Sequence, residues 1–115
     1  MTRHTMLLAA ALVAGPTAAM ALPVMYEQQL AHQEEARIIQ SPIAGVQNSR
    51  WFDYRTNINE TRKELASDLR HASDTEDRRD AWDEYGTELR HERVTYVKAM
   101  AKKGYRIPRV YVGDY

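Results

Sequence analysis

Two stretches of this chain echo one another 20 residues apart: Glu64-Leu65-Ala66-Ser67-Asp68-Leu69-Arg70-His71 and Glu84-Tyr85-Gly86-Thr87-Glu88-Leu89-Arg90-His91. Each ends in an acidic residue three positions before a histidine, a spacing that lets a carboxylate and an imidazole on one helix reach the same metal ion. Asp68 with His71, and Glu88 with His91, are therefore the candidate ligands of a metal-binding reading. Against it stands the ordinary behaviour of histidine on a polar helix, which is to remain solvated. Ser67 and His71 also stand one helical turn apart with Asp68 and Asp74 nearby. A plain helix face supplies neither oxyanion donors nor a pocket, so these residues do not predict a hydrolase. There is no Gly-rich phosphate loop, zinc-type spacing or nucleophile elbow, so we expect a non-enzymatic protein without a cofactor.

Glu76, Asp80, Glu84, Glu88 and Glu92 form a ladder of carboxylates at steps of four. Like charges at that spacing repel by a few tenths of a kcal/mol per pair, so nearby cations are needed to compensate. Arg78, Arg79, Arg90 and Arg93 are the local candidates, which makes the ladder a salt-bridged surface or a docking strip for a basic partner.

These side chains must be positioned by helices. From Ser49 to Lys103 the chain lacks proline and places its charged and large apolar residues at helical spacing. Ser49 is a plausible cap at the start, and Lys102-Lys103-Gly104 is a stop signal. In between, Ser73 with Glu76 reads as a capping box, reinforced by Asp74 and Asp77 at a helix start. The reading is an all-α fold: an antiparallel helical hairpin over about 49–72 and 75–103, each arm about 40 Å long at 1.5 Å per residue.

The seam of a two-stranded coiled coil runs through Trp51, Arg55, Ile58, Arg62, Leu65 and Leu69, then Arg78, Trp82, Tyr85, Leu89, Glu92 and Tyr96. A reversal between Ser73 and Asp74 sets Trp51 against Tyr96, Ile58 against Leu89 and Leu65 against Trp82. It also sets Arg55 against Glu92 and lays Arg62 over the Tyr85 ring. Gly86 interrupts the second arm, where close helix approach or a bend would explain it.

Flanking the hairpin, residues 22–47 comprise a polar, weakly committed helix over Leu22–Gln40 and a Ser41-Pro42-Ile43-Ala44-Gly45 linker. After Gly104, residues 105–115 alternate aromatic and β-branched types and read as an extended tail, suited to packing back on the hairpin or to strand addition.

At the other end, Arg3 and His4, the apolar run Met6–Ala14, Gly15-Pro16 and the small residues of Ala19-Met20-Ala21 have the layout of an export signal cleaved after Ala21. The alternative is an uncleaved anchor over Met6–Val24, a stretch without charge. Removing residues 1–21 takes away Arg3 and leaves 15 basic and 16 acidic side chains. A net charge near zero lacks the basic field needed for nucleic acid or anionic lipid. With no cysteine, neither a disulfide nor a lipoprotein anchor can form.

Two helices with one apolar stripe each cannot enclose a core. Trp51, Phe52, Trp82, Val97 and Met100, with Val110, Tyr111 and Val112 of the tail, are thus the expected interaction residues. Their cover is the N-terminal helix, a second copy in a homodimer, or a protein client. The function expected from this is a secreted or periplasmic helical interaction protein, a scaffold, stress or chaperone-like factor. The metal-binding reading is the alternative.

Overall fold

The computed structural model describes residues 24–113. The export signal and its cleavage site, most of the anchor alternative, and the last two residues of the tail lie outside that range. Within it the fold is all-α, with three helices: α1, Tyr26–Glu35; α2, Ser49–His71; and α3, Thr75–Lys102. The described residues contain no strand. No helix among them is long and apolar enough to cross a membrane.

The antiparallel hairpin forms with its turn at the expected place, though both caps sit one residue away from the positions expected. Asn48, not Ser49, caps α2: its side chain accepts from the Trp51 N–H at 3.1 Å. Asp74, not Ser73, caps α3, accepting from the Asp77 N–H at 2.8 Å. The return contact comes not from Glu76 but from Asp77, whose carboxylate accepts from the Ser73 N–H at 3.0 Å and from its hydroxyl at 2.8 Å. These bonds hold the Asp77 carboxyl below its usual pKa. Asn48 and Asp74 are as good at capping as the neighbouring serines, and it is they that hold the extended backbone of the cap position. Gly104, at φ +93°, ends α3: its N–H donates to Ala101 O and the Tyr105 N–H to Met100 O, the Schellman pattern.

The hairpin's apolar side is covered by the chain itself. Trp51, Trp82, Val97 and Met100 are buried in one core with Tyr54, Ile58, Tyr85, Leu89 and Tyr96. They are covered by the chain itself, which corrects the expectation that they are left open to a partner. Phe52, Val110 and Val112 are exposed and Tyr111 is half-buried. The tail does not run on as an extended segment: Arg109–Tyr111 forms a 3-10 turn, and Tyr105, Ile107 and Tyr111 pack back on the core.

The N-terminal segment supplies the cover. Among the described residues of the expected 22–40 span only Tyr26–Glu35 is α-helical, and α1 lies on α3. At the crossing, a Cβ on Gly86 would lie 3.2 Å from the Ala31 Cα, so close approach explains the glycine. The connector that follows crosses the hairpin mouth. Ile39 and Ile43 are buried there, and their N–H groups donate to the hydroxyls of Tyr54 and Tyr96, each at 2.9 Å. A buried N–H without an acceptor is costly, so two tyrosines fix the path of the connector as well as filling the core.

Candidate functional site

The expected facing pairs hold in part. Trp51 meets Tyr96 with ring centroids 5.8 Å apart, and the Arg62 charge is near enough to act on the Tyr85 hydroxyl. The Arg55 with Glu92 pair does not form. Arg55 instead lies 5.8 Å over the Trp51 ring, while Glu92 accepts from the Asn57 amide at 2.9 Å. Long side chains at a seam position swing to either flank, and here the two swing apart.

That divergence leaves two unlike flanks. On one, α2 and α3 border a groove of about 370 Å³ lined by Glu60, Glu64, Asp68, Glu84, Glu88 and Glu92. Its floor is Thr61, Leu65, Ala81 and Tyr85, with Asn57 at one end. Three rungs of the acidic ladder thus face carboxylates of the other helix across the groove. Glu84 feels this most. Slight desolvation, then the charge of Glu64 and a hydrogen bond that the protonated Glu84 carboxyl donates to Glu64, then the charges of Asp68 and Glu88, push its pKa above the ordinary carboxylate value.

Two of the four cations proposed to compensate the ladder, Arg93 and Arg79, lie against α1 instead. Arg93 is 1% exposed and pairs with Glu34 of α1, a correction to its expected place on the surface. Arg79 pairs with Glu27 of α1 at 3.7 Å. No sequence pattern marks Arg93 as buried, because the acidic partner lies 59 residues away.

On this second flank the charges are paired. Glu35 accepts from the Tyr85 hydroxyl at 2.6 Å and lies 2.6 Å from the His32 Nδ1. Burial works to raise the Glu35 pKa, but the bonds from Tyr85 and His32 and the charges of His32 and Arg62 outweigh it and hold it below normal. Burial first, then the bond to and the charge of Glu35, push the Tyr85 hydroxyl up to about 12. Trp82 turns toward α1, its ring 5.1 Å from that of His32.

The repeated acidic-x-x-His motifs are regrouped by the fold. Glu88 and His91 do come together and are joined by Glu92, with one donor atom from each within 4.8 Å of the others. Asp68 instead groups with Glu64 and Glu84 within the same limit. His71 donates from Nδ1 to the Ser67 carbonyl at 2.8 Å, so the link between this pair runs through the backbone and not the serine hydroxyl. Sequence reading singled out Glu88, His91 and Asp68 but missed Glu60 and Glu64, whose place opposite the ladder follows only from the hairpin register. The chain matches no family model, no curated protein and no solved structure, so its function rests on these side chains.

Proposed function

We propose that the mature chain is exported and acts as a small, non-catalytic helical interaction protein, a scaffold, stress or chaperone-like factor. In this reading its working surface is the carboxylate groove between α2 and α3, and its partner is a protein presenting a Lys- or Arg-rich segment. One observation carries it: six carboxylates line one open groove, and Glu84 is pressed by Glu64, Asp68 and Glu88. Held together without a partner, such charges lower stability; a cationic segment relieves their repulsion on binding.

Calorimetric titration of the mature chain with a Lys/Arg-rich decapeptide tests this reading. Saturable binding that weakens with salt and falls on Glu84→Gln with Glu88→Gln is expected; equal affinity for an uncharged decapeptide would reject it. Export is tested separately by the mass of the chain recovered outside the cytoplasm, which should begin at Leu22.

A second reading, metal binding, is favoured by the Glu88, His91 and Glu92 group. Titration with zinc, iron(II) and copper(II) distinguishes it, since tight saturable binding lost on His91→Ala and kept on His71→Ala is expected only of a metal site there.

A further inference from the structure

α1 brings little apolar surface to its contact with α3. Ala31 is its one buried residue, while Tyr26 and Leu30 remain exposed. A helix of 10 residues is marginal in water by itself, so its order derives from the contacts that tie it down. Those contacts are mainly polar: Glu34 with Arg93, Glu35 with Tyr85, Glu27 with Arg79, and the His32 ring against Trp82. The connector is anchored separately, through Ile39 with Tyr54 and Ile43 with Tyr96. The contacts of α1 and the anchors of the connector are therefore two separate sets, and a local opening of the first does not require loss of the second.

Beneath α1 the hairpin is incompletely satisfied. Arg93 is buried, yet of its guanidinium nitrogens only Nη1 has a partner, a single oxygen of Glu34; Nε and Nη2 have none, and neither has Trp82 Nε1. A desolvated guanidinium is matched by a bidentate carboxylate or several acceptors, and orphaned donors are costly. α1 gives Arg93 less than it can hold.

We propose that the α3 face made by Trp82, Tyr85, Gly86 and Arg93 is a docking site for an acidic amphipathic helix of a partner protein, with α1 as its releasable, imperfectly matched occupant. The complementary helix carries a small residue against Gly86 and carboxylates one turn further on, facing Arg93 and Tyr85. Tyr85 borders both this face and the carboxylate groove, but the two take partners of opposite charge, so the two readings stand or fall separately.

The test uses the full mature chain and, as probe, a labelled peptide of residues 24–38 whose binding is followed by fluorescence anisotropy. Glu34→Gln with Glu35→Gln in the protein weakens the tethered competitor and leaves Arg93 intact. The variant should then bind the unmodified peptide about tenfold more tightly than the wild type does. Ala31→Cys with Gly86→Cys staples α1 in place. A Cβ on Gly86 would lie 3.4 Å from that of Ala31, at the short edge of disulfide geometry, and no native cysteine interferes. The oxidised staple should not bind the peptide, and reduction should restore binding. Unchanged or weaker binding by the Gln variant, its self-association without peptide, or wild-type binding by the oxidised staple would each overturn the proposal. Where the disulfide does not close, the Gln variant decides alone.

Discussion

The two flanks of α3 carry similar numbers of charges and treat them in opposite ways. Toward α1, carboxylates meet Arg93, Arg79 and the Tyr85 hydroxyl, and the charges are neutralised as they are covered. Toward α2, Glu84 and Glu88 meet more carboxylates and remain in contact with water. Desolvation explains the difference. A buried charge must be paired, whereas an exposed one survives among like charges at a cost of tenths of a kcal/mol. The covered flank thus has its charges matched by α1, and the open one is surface that the fold does not itself use.

Substitutions on the two flanks should differ in size and in sign. The largest effect belongs to Arg93→Ala, which leaves Glu34 without its cation and opens a hole in the core. Urea denaturation should show a loss of about 3–5 kcal/mol. The double change Arg93→Met with Glu34→Leu should recover most of it, and failure to do so would mean that the pair does more than neutralise.

Glu35→Ala comes next, with a loss of about 1–2 kcal/mol at neutral pH from the unpaired Tyr85 hydroxyl. Its pH dependence has a definite sign. Because the folded-state pKa of Glu35 is depressed, its contribution is present above the unfolded-state value and disappears as pH falls through the folded-state value. The variant should therefore show a shallower acid limb in stability against pH, with the part due to Asp77, depressed in the same direction, left intact.

Gly86→Ala sets a gain in helix propensity of up to about 1 kcal/mol against a contact that forces Ala31 to move. Hydrogen exchange should separate the two: amides of α1 lose protection while those of α3 keep it. Equal protection in α1 would show that the helices yield without parting.

The smallest effect has the opposite sign. Glu84→Gln should raise stability by a few tenths of a kcal/mol at neutral pH, because the raised pKa of Glu84 marks a carboxylate destabilised by its neighbours. The gain should fade as pH drops and the native carboxyl takes up its proton. A loss of stability at neutral pH would mean that the groove is better compensated than its charges indicate.

Much of the framework was legible in the residues. The hairpin, its turn, the stop at Gly104 and the Trp51 with Tyr96 layer follow from periodicity and end signals, which are local. Caps were placed one residue off at both starts, because Ser49 and Ser73 each adjoin a polar residue able to do the same work. The acidic ladder was visible, but not its opposition to Glu60 and Glu64, nor the desertion of Arg93 and Arg79 to α1.

What the sequence determined by itself is therefore what neighbouring residues decide among themselves: helix type, helix limits to within a residue or two, and the site of reversal. Only the tertiary structure decided what covers the apolar stripe, why Gly86 is a glycine, and which charges are paired. Those outcomes depend on α1, a segment whose few apolar residues give no periodic signal and whose partners lie 50 to 59 residues along the chain. Local propensity cannot register such contacts, since their free energy exists only once the helices have met.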